Sequence, residues 1–464
     1  MMGVKRRAFL IGGAAIVGGG VFAIHMADGR ATSRAATLTA GKGEASFATW
    51  LKIGHDDTVT LYSPHIDFGQ GSNTALAQML AEELDADWSK IKVELAPSES
   101  AFANVALIKG FLGEMSGHPG LTGSLPKSLV SMMARSMNMQ TTGGSSAVRF
   151  TGQNGMRVVG AAARLALVDE AAARLGVPAA ELTTGNSLVT HTKSGKSLRY
   201  GELAEAAAAR DLVVDPPLKA AKDYKYIGKP VPRFDVPEKV DGRAVYGIDF
   251  ALPEMRVATI LAAPVRGGKL TSVDPAPAMA VKGVEKVIQL DDAVVVVASG
   301  YWAAHKGLEA LSPKFSDGGK GSVSSASIIA EQDKAIGAAG TAASVDAVYR
   351  VPFLHHATME PLALTAHHKD GKLDLWGGVQ DPLSAKMIAA KASGLSSDDV
   401  TFHPMIIGGG FGRRFPPYYQ IIGQAAKIAM QIEHPVKLIW SREEDVKQGA
   451  YRPLVSAHVI ATLG

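Results

Sequence analysis

The chain of 464 residues contains no cysteine. Disulfides, thiolate nucleophiles, cysteine-ligated zinc and any iron–sulfur cluster held by this chain are thereby excluded. Redox chemistry, if the protein performs it, then needs a cofactor held by other means and an electron path through a different polypeptide. H-E-x-x-H, Walker A and G-x-S-x-G are also missing, which removes support for zinc proteases, P-loop NTPases and serine hydrolases. Charge of one sign is scarce: the formal net charge is +4, too small for the electrostatic footprint of a nucleic-acid binder. With 47% hydrophobic and 20% charged residues the chain is not disordered, and its length suits about three domains.

Near the N-terminus, "KRRAFLIGGAAIVGGGVFAI" sets Arg6 and Arg7 ahead of Phe9, Leu10 and an apolar run. That run is short and glycine-rich for a membrane span, so an export signal is the better reading, with a retained membrane anchor as the alternative. The RR-x-F-L order fits the twin-arginine type, which addresses a protein exported already folded, to the periplasm. Such a route suits a cofactor loaded in the cytoplasm.

Further along, residues 47 to 62 alternate apolar and polar around "GHDDT", the pattern of a hairpin. In "HIDFGQGSNTALAQMLAEELDADWSKIKVEL", Gly69, Gln70 and Gly71 form a turn, Ser72 to Thr74 offer helix caps, and Leu76, Leu80 and Leu84 fall at helical spacing. A short strand follows at Ile91 to Leu95. Strand, glycine turn and helix N-terminus make an anion-binding geometry, or simply a hairpin and an ordinary capped helix. Residues 104 to 140 show no clean period and read as loops and short helices. "TTGGSSAVRF" repeats the theme of glycines beside hydroxyls, and an alanine-rich helix is expected from about Asn154 to Leu175. The proline-rich stretch 215 to 242 reads as an extended linker. "GVEKVIQLDDAVVVVASGYWAAHKGLEAL" reads as two strands and a helix.

"IIGGGFGRRF", residues 406 to 415, raises the main functional question. Glycine allows positive φ and close backbone approach to a ligand, and arginine offers a fork of donors suited to an anion. The other reading is a tight turn with solvated arginines. "HHATMEPLALTAHH" holds His355, His356, His367 and His368, but neighbours in a strand point to opposite faces, so at most one of each pair could reach a metal. Glu360 in the same stretch is either a buried acid or base, or one satisfied carboxylate among apolar neighbours. The glycines of 408 to 412 are too close together for a dinucleotide fingerprint.

Taken in order, "GQGSNTALAQMLAEEL", "TGGSS", "IGKPVPRFDVPEKVDGRAVYGIDF", "MEPLALTAHH", "WGGVQDP", "GGGFGRRF" and "VKLIWSREED" resemble the molybdenum-cofactor subunit of the xanthine oxidase family, in the type represented by isoquinoline 1-oxidoreductase beta subunits and similar bacterial aldehyde dehydrogenases. The resemblance runs from about residue 47 to the last. It implies a mixed α+β and α/β multidomain fold: signal and connector at 1–40, a rearranged N-terminal cofactor-binding domain at 41–215, a linker at 216–240, a hammerhead-like domain at 241–345, and the first part of the main cofactor-binding domain at 346–464. It implies a molybdenum–pterin cofactor, as such or as the cytosine dinucleotide, with molybdenum ligated by the pterin and not by protein side chains. Gly409, Gly410, Phe411, Gly412 and Arg413 match the segment beside the metal centre. Gln380 matches the glutamine next to it, and Gly69, Gln70, Gly71, Gly144, Ser145 and Ser146 match the turns that hold the pterin and its pyrophosphate.

The implied reaction oxidises aldehydes or N-heteroaromatic rings with oxygen from water. Electrons would leave through a small [2Fe-2S] subunit, with a cytochrome c subunit as a further carrier. Phe415 stands where purine-oxidising relatives have a glutamate, which argues against a purine. The family's catalytic glutamate belongs to a Gly-x-Gly-Glu type motif, and no such residue is assigned in this chain; Glu360, Glu443 and Glu444 are the carboxylates nearest the matched motifs. The chain therefore reads as a large subunit that is truncated or split, a second polypeptide supplying the rest; the alternative is a non-catalytic remnant. If the paired arginines form the export address, Arg6→Lys together with Arg7→Lys keeps the charge but leaves the protein in the cytoplasm on fractionation. Unchanged periplasmic yield of the double variant would refute the address.

Overall fold

The computed structural model of the chain describes residues 36–115, 139–145, 147–213, 215–337, 343–415 and 420–463. The twin-arginine segment and Ser146 lie outside the described residues. Two compact units are formed, one by residues up to Val245 with 379–387 and 402–407, the other by 246–378, 388–401 and 408–464. Both combine helices with sheets, the mixed class expected.

In the first unit, β1 (Glu44–Phe47), β2 (Leu51–Gly54) and β3 (Val59–Ser63) form an antiparallel meander, and β4 (Ile91–Leu95) lies parallel to β3. The hairpin read around "GHDDT" is β2–β3, with Leu51 opposite Leu61. A parallel pair needs a crossover, and the helix Ser72–Leu84 provides it. Its Leu76, Leu80 and Leu84 are fully buried with Phe47, Ile53 and Leu61. The helix Arg157–Leu175 packs against it at small residues. A Cβ on Gly160 would stand 2.6 Å from the Leu80 carbonyl oxygen, so only glycine permits this approach. A small sheet of β5 (Leu182–Gly185), β6 (Leu188–His191) and β7 (Ser197–Arg199) completes the unit.

Two local expectations change. The 72–84 helix is capped by Gly71 at φ 78 without a side-chain cap, because the polar groups expected to cap it are engaged elsewhere. Ser72 Oγ accepts from Gln70, Asn73 Oδ1 from Ser63, and Thr74 Oγ1 from the Phe234 N–H. The alanine-rich helix begins at Arg157 and not near Asn154, since Ala147–Met156 forms a π-helical turn.

The segment 216–240 is a strap on the first unit and not a free linker. Its backbone is irregular, as its prolines dictate, but buried carboxylates of the 72–84 helix tie it down. Glu82 Oε2 accepts the N–H groups of Lys225 (2.7 Å), Tyr226 (2.7 Å) and Ile227 (3.2 Å). Lys219 Nζ reaches Asp85 at 2.8 Å, and Glu83 pairs with Arg157 at 2.6 Å. Phe234 stacks on Trp88 at 4.8 Å between ring centres.

The second unit centres on one sheet of β8 (Arg256–Ala262), β10 (Val284–Gln289), β11 (Ala293–Ala298), β14 (Ala363–Lys369), β15 (Lys372–Gly377), β16 (Val400–Pro404) and β17 (Val436–Ile439), in the order β10–β11–β8–β17–β14–β15–β16. β11, "AVVVVA", is buried throughout, as its unbroken apolar run requires. β9 (Leu270–Ser272) pairs with β12 (Lys314–Phe315), and β13 (Val345–Val351) with β18 (Val455–Ala461). The parallel pairing of β8 with β17 joins the stretches read as separate domains, 241–345 and 346–464, into one sheet. Main-chain bonds between segments so distant leave no trace in composition.

Glu82→Ala should release the strap, lowering unfolding stability by about 3 kcal/mol and opening a protease-sensitive site within 216–240. Limited proteolysis with mass spectrometry reads this directly; a strap that stays resistant would mean that the Lys219–Asp85 pair and ring packing suffice to hold it.

Candidate functional site

Within the first unit, the chain leaves β3 through His65 and turns at Gly69–Gly71 into the 72–84 helix. The loop's polar side chains brace the loop itself. Asp67 Oδ1 accepts the Gly69 N–H at 2.8 Å, Gln70 Oε1 accepts the Phe68 N–H at 2.7 Å, and Gln70 Nε2 donates to the Ile66 carbonyl at 3.2 Å. Arg233 of the strap donates to the Gly69 carbonyl at 3.0 Å. What remains outward is bare backbone: Gly69, at φ 105, has nothing within 4 Å of an added Cβ. Gly144, at φ 44, is equally open, and Ser145 beside it is exposed.

The structure brings Gln380 to this second turn. Thr142 N–H donates to the Gln380 carbonyl at 2.6 Å, and Gln380 Nε2 donates to the Thr142 carbonyl at 2.9 Å. Gln380 Oε1 is buried without a hydrogen-bond partner among the described residues. Asp381 secures the same junction through Thr141 Oγ1, the Gln140 N–H at 3.3 Å and the Ser384 N–H at 3.1 Å. Burial raises its carboxyl pKa despite these donors.

A buried node that motif reading missed lies beneath both turns. Asn104 Oδ1 accepts the Leu107 N–H at 3.0 Å, so its Nδ2 faces His65 Nε2 at 3.1 Å and Thr151 Oγ1 at 2.9 Å. His65 Nε2 therefore accepts, also from Thr151 Oγ1 at 2.7 Å, and Nδ1 carries the proton toward Thr142 Oγ1 at 3.3 Å. Thr142 Oγ1 in turn accepts the Ile66 N–H at 3.0 Å. The ring is fully buried, and burial pushes its pKa down to about 3. His65 heads "HIDFGQG" and Thr142 directly precedes the glycines of "TTGGSS"; a polar residue leading into a glycine turn was the available signal.

In the second unit, the 408–414 turn answers the question of its arginines. Arg414 is buried: its Nη2 meets Glu360 Oε2 at 2.8 Å and the Glu360 carbonyl at 2.8 Å, and its Nε meets the Gly409 carbonyl at 3.2 Å. Arg413 is buried against Asp445 at 3.0 Å and lies over the Trp440 ring. Neither is solvated, and the expectation that Arg413 reaches out to an anion is corrected: desolvation would strand these guanidinium groups without carboxylates, so the fold commits them inward. Backbone is what the turn presents. Gly409 and Gly412 have φ 101 and 95, and Phe411, at φ 52, is 61% exposed. A Cβ on Gly412 would find space, with His356 Nε2 at 3.7 Å, but not an easy conformation.

Two of the three nearby carboxylates, Glu360 and Glu444, are engaged by buried donors. Glu360 accepts from Arg414, the Gly408 N–H at 2.8 Å and the Ile248 N–H at 3.1 Å. Glu444 accepts the Ala262 N–H at 2.9 Å, with burial raising its pKa, and Glu443 is exposed. "SREED" forms a short helix, Arg442–Lys447, capped by Ser441, with Asp445 paired to Arg413 and Arg442. No cluster of histidine, aspartate and glutamate suited to a metal exists among the described residues. A cleft of about 550 Å³ beside His55, Arg174, Arg199 and Glu202 includes none of these turns.

Two of these three turns lie in stretches that match a known domain. Residues 322–461 and 18–106 each match a molybdopterin cofactor-binding domain. Gln380 and Gly409–Gly412 fall in the first match and Gly69–Gly71 in the second; Gly144 and Ser145 fall outside both. The chain is 31% identical to the beta subunit of isoquinoline 1-oxidoreductase from Brevundimonas diminuta, over 89% of this chain and 56% of that protein. It is 28% identical to a membrane-bound aldehyde dehydrogenase (pyrroloquinoline-quinone) of Gluconacetobacter polyoxogenes, over 89% and 52%. It is 24% identical to a nicotinate dehydrogenase subunit of Pseudomonas putida, over 87% and 32%. The chain thus spans about half the length of the first two.

The His65 node makes a signed prediction. Because the folded-state pKa lies below the ordinary value near 6.5, the neutral ring's stability contribution is full above that value and is lost as pH falls toward about 3. The slope is up to about 1.4 kcal/mol per pH unit. Urea unfolding between pH 7 and 5, above most carboxylate titration, should show a shallower loss for His65→Gln than for the native chain; identical slopes would mean the ring protonates within the fold.

Proposed function

Because the chain belongs to the molybdenum-cofactor-binding subunits of the xanthine oxidase family, we propose that it is the cofactor-holding part of a molybdenum hydroxylase acting on aldehydes or N-heteroaromatic rings. One observation carries this reading. In two separately matched segments, charged and amide side chains are taken up by bonds within the protein, and glycines at positive φ remain at least partly exposed. A polyanionic pterin nucleotide asks for many N–H donors and little fixed charge. The residues fit such a group: backbone at Gly69 and Gly144 is open, and the Gln380 amide has a buried oxygen without a partner among the described residues.

In this reading the 69–71 and 144–145 turns and the Gln380 amide of the first unit hold the pterin and its phosphates, and the Gly409–Gly412 turn of the second unit is a separate stretch of backbone offered to the cofactor. When bound, the molybdenum–pterin group supplies oxidation of the substrate carbon with oxygen drawn from water. Without cysteine, the chain passes electrons to a separate [2Fe-2S] subunit and onward to a carrier such as a cytochrome c. Phe411, exposed beside the turn, offers an apolar surface to an aromatic or aldehyde substrate. Export to the periplasm through the paired arginines belongs to the same proposal.

The buried Glu360–Arg414 pair favours one refinement: Glu360 holds the glycine turn and is not the general base. A general base must reach the proton it removes, and Glu360 and Glu444 are committed to buried donors.

Metal and pterin analysis of the purified native complex is the direct test, and a well-folded complex without molybdenum sinks the proposal. Gly412→Val places a β-branched residue at φ 95 and should cost most of the bound molybdenum, whereas His355→Ala and His367→Ala should retain it. Equal losses in all three variants would move the site to the histidines.

A further inference from the structure

Within the second unit, residues 356–360 run alongside the 408–412 turn. The Glu360 N–H donates to the Gly408 carbonyl at 3.0 Å, and a Cβ on Gly409 would stand 3.6 Å from the Met359 nitrogen. At the other end His356 borders Gly412. Its Nε2 lies 3.7 Å from where a Gly412 Cβ would stand, and apart from chain neighbours no other heavy atom comes within 4 Å of that point. The segment is anchored on both sides of His356: Leu354 and Arg452 exchange backbone bonds of 3.4 and 2.8 Å, and Thr358 Oγ1 donates to the Glu360 carbonyl at 2.8 Å. Between these anchors Ala357 takes φ 48, uncommon for a residue with a Cβ and a conformation that clusters at functional sites.

The His356 ring has no structural bond to make. Its Nδ1 is buried without a hydrogen-bond partner, and no bond to its Nε2 is formed among the described residues. Burial first, and then the charges of Arg413 and Arg452, lower its pKa below the ordinary value near 6.5, so the ring is neutral at neutral pH. A neutral imidazole carries one proton, and an unpaired donor is rarer in an interior than an unpaired acceptor. The proton therefore sits on Nε2, at the open side of Gly412. Two large apolar side chains of the same stretches stand exposed, Phe411 at 61% and Met359 at 88%. A single donor among apolar groups suits a small organic molecule with one acceptor, whereas a polyanion asks for many donors. We propose that His356 Nε2–H binds the acceptor atom of the substrate, the carbonyl oxygen of an aldehyde or the ring nitrogen of an N-heteroaromatic. In both classes that atom is bonded to the electron-poor carbon, so one hydrogen bond orients the substrate and draws further electron density from the carbon to be oxidised. The proposal rests on the reading of the chain as part of an aldehyde or N-heterocycle hydroxylase.

The test is equilibrium dialysis of the native complex against two probes of one shape: 2-methylquinoline, which has a ring-nitrogen acceptor, and 2-methylnaphthalene, which has none. The native chain should hold 2-methylquinoline about tenfold more tightly than its partner probe. His356→Phe and His356→Ala should each abolish that ratio, and whichever of them folds decides the matter. His356→Gln, which keeps an N–H donor, should recover part of it, and a change at the exposed neighbour, His355→Ala, should leave it as it was. Circular dichroism and bound molybdenum should stay native throughout. Equal binding of the two probes by the native chain, binding of neither, or a ratio that survives loss of the imidazole overturns the proposal. So does loss of molybdenum from the His356 variants, which would set the ring against the cofactor instead. Metal analysis of the same preparation separates the two readings. A native complex without molybdenum that still discriminates through His356 removes the hydroxylase reading alone, and molybdenum without such discrimination removes this contact alone.

Discussion

Glu360 is the group on which the second unit's glycine turn depends. Its backbone N–H and one carboxylate oxygen grip Gly408 at the start of the turn, and the same oxygen holds Arg414 at its end. Arg414 then reaches the carbonyls of Gly409 and Gly378, so one buried ion pair ties the turn to the end of β15. A close contact allows the grip, since a Cβ on Gly408 would lie 2.5 Å from that of Glu360. A buried pair of this kind adds little net stability over an apolar filling, but losing one partner strands the other. What it contributes is definition: a loop of glycines, which by composition should be the least ordered stretch of the chain, is held in one conformation.

The first unit reaches the same result with neutral groups. His65 is deprived of its charge by burial and shares its two ring nitrogens among Thr142, Thr151 and Asn104. Thr142 is bonded on its backbone to Gln380. The fixing groups therefore lie beneath the surface, and the surface is left to backbone. A site built this way binds by shape and by many weak donors, so it tolerates the low net charge of the chain.

Much of this is legible in the sequence. The β2–β3 hairpin, the 72–84 helix, β4 and the β10–β11 pair follow from period and turn chemistry, because each is decided by neighbours within a few residues. The glycine turns are legible as backbone-presenting elements for the same reason. The strap is not, since proline content reports stiffness and says nothing of the carboxylates that wait for its N–H groups. Arg413 and Arg414 read as facing outward because their partners, Asp445 and Glu360, are 32 and 54 residues away.

The sequence by itself determined what kinds of chemistry this chain can host. Without cysteine, and with glycine turns in place of charged clusters, it can hold a large anionic cofactor but cannot carry electrons away through thiolate-bound iron. Tertiary structure alone decided which polar groups are left for that task. Burial forces every guanidinium and carboxylate taken inside to find a partner, and the partner's identity depends on which distant strands and loops the fold brings together.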